Sequence, residues 1–322
     1  FWTMFFIAFN ASVFVDFMFA PVLASYGLAA GNAALIDFAG LLATDVNLRF
    51  IGALISLVIV FLVLLFGAKY TGRWLLALFV VGLAGLIANI IIYLVFPPSA
   101  FPEAYSRGFG VTIDQTIKAA EASGWQYIPI SAELTLAALP FAFLWFIGFQ
   151  YSSYVAGEIK EIRKSMWISV LGALIFGWIM YSIIGALFLR VSDYRFTQAI
   201  SFLFFAAPEN YPLPTIPGAY LFAGVMSPHP ILNLIILIAQ VCWSFAFMTV
   251  ILMVIIRNIF AWSFDRVVPT VLSSINRRFK SPINASILAF IVALIFLYLY
   301  LYTDTVSYTH LRAHETRHDL VC

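Results

Sequence analysis

Residues 140–165 read PFAFLWFIGFQYSSYVAGEIKEIRKS. The first half is apolar and aromatic, with Gly148 between Pro140 and Gly157; the second half ends in Glu158, Lys160, Glu161, Arg163 and Lys164. A hydrocarbon core of about 30 Å takes about 20 helical residues at about 1.5 Å each, and in lipid every backbone group needs an internal partner. The run from Thr135 to Ala156 is long enough for that. A glycine in its middle permits backbone turns and close approaches that other residues resist, so one expectation is a span that unwinds at Gly148 and exposes its carbonyl and N–H groups. The other is a plain packing glycine, common between membrane helices. The residues alone leave both open.

The rest of the chain belongs to the same class. Of 322 residues, 63% are apolar and 10% charged, against about 45–50% and about 25% in soluble domains. That excludes a soluble enzyme and a disordered regulator, and a net charge of +2 gives nucleic acid no footprint. Cys242 and Cys322 are too few for a disulfide framework or a zinc site. No paired membrane acids, zinc-binding histidine helix, serine–histidine pair, P-loop or dinucleotide glycine pattern occurs, so the chain reads as no enzyme, with no cofactor and no metal.

The same ruler finds six further spans: Phe1 to Leu23, Phe50 to Phe66, Leu75 to Phe96, Trp167 to Leu189, Ile231 to Ile256 and Ile283 to Tyr302. The fold class expected is all-α, a polytopic bundle of seven transmembrane spans in the cell membrane. The connections after spans two, four and six carry Lys69, Arg73, Lys160, Arg163, Lys164, Arg257, Arg266, Arg277, Arg278 and Lys280. Those after spans one, three and five carry only Arg49, Arg107, Lys118, Arg190 and Arg195, among many acids. The richer set faces the cytoplasm, and its strict alternation agrees with the seven-span count.

Within the outer connections, Thr112 and Gln115 have capping-box spacing and Gly124 follows a run of helix formers, so a short surface helix is expected there. Residues 190–230 combine the short apolar stretch Phe202 to Ala207 with repeated prolines, as in a packed outer connector or a lid. Residues 305–322, with His310, His314 and His318, shift abruptly in composition. They resemble a translated sequencing-adapter end and are set apart from the transport domain expected over 1–304.

Polar residues inside spans are expensive in lipid and therefore functional candidates. Asp16 faces a cavity, or lies near the outer interface if span one ends at Ala20-Pro21. Asn10 and Ser12 lie earlier in that span. Gln240, Trp243 and Ser244 share one helical face in span six, lining a cavity or packing between helices.

FIGFQYSSYVAGEIKEIRKSMWISVLGALI resembles the sixth helix and following cytoplasmic loop of the amino acid–polyamine–organocation (APC) superfamily. RNIFAWSFDRVVPTVLSSINRRFKSPINA is similar to that family's eighth-to-ninth connection, and GAKYTGRW to its fourth-to-fifth. In this register the seven spans correspond to family helices three to nine, so the chain reads as a truncated fragment carrying part of a five-helix inverted-repeat fold. The resemblance implies a secondary active transporter of amino acids or related amines, working by alternating access with a coupling ion, proton or sodium. It maps the family's midplane substrate break onto Leu144, Trp145, Phe146, Ile147 and Gly148, with Phe149 as an apolar wall. Asn10 and the Gln240, Trp243 and Ser244 face lie on spans whose family counterparts contribute to the substrate site. Gln150 departs from the family, where an acid often follows the Gly-Phe pair, and an amide cannot titrate. The alternative is a seven-helix receptor-like or other non-transport membrane protein.

Overall fold

The computed structural model describes residues 2–144, 146–158, 161–227 and 229–303. Trp145, Lys160 and the 305–322 segment with its three histidines lie outside the described residues. The elements in chain order are α1 (Trp2–Val13), a π turn (Phe14–Phe19), α2 (Ala20–Ala30), α3 (Ala33–Thr44), α4 (Val46–Leu65), α5 (Ala68–Val95), α6 (Ala100–Phe109), α7 (Ile113–Ala122), α8 (Ala132–Ala137) and α9 (Leu139–Leu144). After a 3₁₀ helix (Phe149–Glu158) follow α10 (Ile162–Ser192), α11 (Tyr194–Ala206), α12 (Ala219–Met226), α13 (Pro230–Phe264) and α14 (Ile283–Tyr302). Among the described residues no strand forms beyond the isolated bridge Asn276–Ser281.

Among the described residues six helices are long and apolar enough to cross a membrane: Thr3–Ala30, Val46–Leu65, Ala68–Val95, Ile162–Ser192, Pro230–Phe264 and Ile283–Tyr302. They coincide with six of the seven expected spans. The seventh, expected from Thr135 to Ala156, is no continuous helix; it is divided into α8, α9 and the 3₁₀ segment. Apolar composition sets where a chain can enter lipid, but it does not register a change in backbone winding.

Span one also runs further than its proline suggests. The helix continues through Pro21 to Ala30 because the preceding turn widens: the Ala20 N–H bonds Val15 O, one residue beyond the α pattern. Such a π turn absorbs a residue whose ring and missing N–H disturb an ordinary helix.

The chain divides into two compact units. The first comprises Phe1–Leu23, Ala34–Gly85 and Leu237–Cys322. Its helices meet where small residues of one face larger ones of the other: α14 buries Ala285, Ala289, Ala293 and Leu297 at four-residue spacing, and α4 buries Ala53, Leu57, Val60 and Leu64. Without a hydrophobic drive between helices in lipid, such stripes let backbones approach closely enough for dispersion to hold them. Phe61 stacks on Phe290 at 4.5 Å, and Phe9 meets Tyr300 edge-on at 5.8 Å.

The second unit comprises Ala24–Ala33 and Leu86–Ile236. An aromatic cluster at its centre joins Phe101 and Tyr105 of α6 to Phe196 of α11 and Phe222 of α12, with ring centroids 5.1–6.2 Å apart across these elements. The expected surface helix is α7. The Thr112 side chain accepts from the Gln115 N–H at 3.1 Å, and the Thr112 N–H donates to Gln115 Oε1 at 2.8 Å. Ala120 of this helix and Trp125 just beyond it pack with Ala199 and Leu203 of α11. The 190–230 connection is thus more helical than its prolines suggest, since α11 runs to Ala206, two residues before Pro208, and α12 starts two residues after Pro217.

Candidate functional site

The interrupted segment is held locally. Leu144 ends α9, Phe146 N–H bonds Phe143 O at 3.1 Å, and Gly148 stands at φ +105°, a conformation that side-chain-bearing residues rarely adopt. The Gly148 N–H donates to Gln150 Oε1 at 3.3 Å, and Gly148 O accepts from the Tyr151 N–H at 2.9 Å as the 3₁₀ winding begins. The Gln150 amide therefore supplies an acceptor to the freed backbone donor.

This segment lies on α10. The Phe146 ring meets Tyr181 edge-on at 6.0 Å and passes Gly177, where an added Cβ would sit 3.6 Å from it. Ser169 Oγ donates to Ser152 Oγ at 2.9 Å. Between the break and α10 runs an apolar groove of ≈ 700 Å³, lined by Phe143, Phe146, Ile147, Phe149, Gln150 and Trp178 among others. Four of the expected residues, Phe146, Ile147, Phe149 and Gln150, thus share one groove, with Gly148 at its turn.

The remaining candidates belong to the first unit. Asn10 Nδ2 donates to Phe6 O at 2.7 Å, and Ser244 Oγ donates to Gln240 O at 3.0 Å, so both serve their own helices. Trp243 lies against Gly82, where an added Cβ would come within 2.8 Å of the indole, and meets Phe79 edge-on at 5.7 Å. Its side chain packs between α13 and α5. Gln240 Nε2 contacts Met18 Sδ at 2.8 Å, while its Oε1 is buried with no hydrogen-bond partner among the described residues.

One pair was not anticipated. Arg49, read as a charge of the first outer connection, lies 3.1 Å from Asp16. An acid inside a span followed by a single base at the start of the next helix was the available signal.

Six helices long and apolar enough to span a membrane, among the described residues, and a divided apolar segment define a polytopic helical membrane protein. The chain belongs to the amino acid permease family, whose model matches residues 1–313, and so to the expected APC superfamily. No curated protein and no solved structure matches. The chain is accordingly a transporter of amino acids or related compounds, multi-pass in the cell membrane, and the family points away from an enzyme. The receptor-like alternative receives no support.

Proposed function

We propose that the protein is a secondary active transporter that moves an amino acid or related amine by alternating access, binding it at the interruption between α9 and Phe149. The observation that carries this reading is the divided segment itself. Two six-residue α turns at about 1.5 Å per residue and ten 3₁₀ residues at about 2.0 Å add up to about 38 Å, enough to cross the core as an interrupted span. At the break the C-terminal end of α9 is followed by the N-terminal end of the 3₁₀ segment. The last carbonyls of α9 carry partial negative charge, which suits the substrate's ammonium. The N–H groups at the start of the 3₁₀ segment carry partial positive charge, which suits its carboxylate.

Gln150 gives the exchange a concrete form. A carboxylate is a stronger acceptor than an amide oxygen, so it displaces Gln150 Oε1 from the Gly148 N–H, while Phe146 and Phe149 form the apolar wall. Gly148→Leu tests this in proteoliposomes. The expected outcome is loss of labelled amino acid uptake, because leucine at φ +105° costs about 1–3 kcal/mol or repositions the turn. Wild-type uptake in that variant would refute the break as the binding site.

A further inference from the structure

Asp16 sits within the π turn of the first span and is 8% exposed. π turns inside membrane helices recur at functional sites, and an ionisable residue there needs a partner. The partner is Arg49 near the start of α4, whose Nη1 lies 3.1 Å from Oδ2. Its Nη2 is engaged elsewhere, donating to Ala43 O at 2.9 Å. The pair is therefore end-on where a guanidinium and a carboxylate can be bidentate. Asp16 Oδ1 and Arg49 Nε are both buried without a hydrogen-bond partner among the described residues.

The surroundings add little other charge. From α14, Tyr300 is within electrostatic range of both groups. From α13 come the uncharged Phe245, against Phe14, and Gln240, against Met18. A half-satisfied buried ion pair is a poor source of stability, because desolvation offsets the attraction and each unused polar atom adds a cost. It is well suited to having two states. With a proton on Asp16 the carboxyl becomes neutral, and Arg49, whose side chain is 23% exposed, keeps its Ala43 bond and extends its charge toward water. One proton taken from the aqueous phase replaces one ion pair.

We propose that Asp16 is a proton-binding site whose occupancy unties the first span from α4 and so controls the rate of transport. The rate readout rests on the transport function proposed above; a spectroscopic readout does not. Infrared difference spectra of the purified protein across a pH change should contain a protonated-carboxyl C=O band that is absent in Asp16→Asn and shifted in Asp16→Glu. Exchange of a labelled amino acid mixture in proteoliposomes should accelerate as pH falls, by up to about tenfold per pH unit, the limit for one proton. Asp16→Asn should flatten that profile, and Asp16→Glu should retain it. An equally steep profile in Asp16→Asn, a wild-type rate that is flat or rises with pH, or spectra without the Asp16 band would overturn the proposal. The band present with no exchange at any pH would refute the transport reading and leave the proton site standing.

Discussion

Gly224 of α12 offers the sharpest test of packing in the second unit. A Cβ there would stand 1.4 Å from Ser25 Oγ, 2.5 Å from Asn233 Oδ1 and 2.6 Å from Ser25 Cβ. Rotating the serine hydroxyl does not clear the site, because its Cβ is itself too close. Both polar partners are buried: Ser25 Oγ donates to Asn233 Oδ1 at 2.8 Å, and Asn233 Nδ2 reaches Ser227 O at 2.7 Å and His229 O at 3.2 Å. Gly224→Ala must therefore separate α12 from Ser25, break that hydrogen bond, or both. Overpacking costs about 1–3 kcal/mol, and a buried acceptor left unpaired about as much again. For a chain of this length each kcal/mol lowers the midpoint by about 2 °C, so a loss of about 2–12 °C is expected from thermal unfolding in detergent followed by intrinsic fluorescence. Gly172→Ala is the matched control: nothing lies within 4 Å of its Cβ position in α10, and removing a helical glycine should stabilise by about 1 kcal/mol. The double variant Gly224→Ala with Ser25→Gly should recover part of the loss, since it removes both nearest serine atoms. A Gly224→Ala midpoint equal to wild type, or no recovery in the double variant, would refute this packing.

Gly82→Ala should displace the Trp243 indole, whose Cε2 would lie 2.8 Å from the new methyl, with a shift in tryptophan emission and a loss of about 1–3 kcal/mol in the same unfolding assay. Thr112→Ala removes the acceptor for the Gln115 N–H at the start of α7 and should cost about 1 kcal/mol. Adding Gln115→Ala should cost less than the sum of the single changes, since the two side chains form one reciprocal cap. Burial pushes the Tyr105 hydroxyl up to about 12, partly offset by its hydrogen bond with Thr116. Unfolded tyrosine ionises near 10, so this contribution is intact below about pH 10 and is lost as pH rises toward 12, with a slope of up to about 1.4 kcal/mol per pH unit. Tyr105→Phe should remove that part of the alkaline slope in unfolding midpoints, and an unchanged slope would contradict the assignment.

Much of the fold is readable from composition because lipid imposes a simple length rule. Helix α14 occupies the predicted Ile283 to Tyr302 run, and the α7 cap was visible in Thr112 and Gln115. What composition misses is winding. Pro21 could mark a helix end or an absorbed irregularity, and only the Ala20-to-Val15 bond decides it. Phe149–Glu158 is apolar enough for an α-helix yet winds as 3₁₀. At the candidate site, Gly148 was legible as a glycine in the middle of an apolar run, whereas the Gln150 bond to its N–H required coordinates. The Asp16–Arg49 pair is hidden in the sequence for another reason: hydropathy places the two charges in different environments, a span and a loop.

The polar side chains of the spans divide according to how they spend their hydrogen bonds. Most serve their own helix: Asn10 bonds Phe6 O, Ser56 bonds Ala53 O, Thr71 bonds Gly67 O, Ser244 bonds Gln240 O, Thr249 bonds Phe245 O and Ser286 bonds Pro282 O. Such residues cross lipid at modest cost, because their polar atoms are already satisfied. A smaller set keeps buried atoms unbonded among the described residues: Ser12 Oγ, Asp16 Oδ1, Arg49 Nε, both amide atoms of Asn89, and Gln240 Oε1. Each unspent atom costs about 1–3 kcal/mol, so stability alone gives no reason to retain it. By this criterion Gln240 stands apart from Ser244 and Trp243 on its own face, and Asp16 from Asn10 in its own span. Substitutions that compare the two sets therefore separate residues that hold the helices from residues kept at a cost to stability.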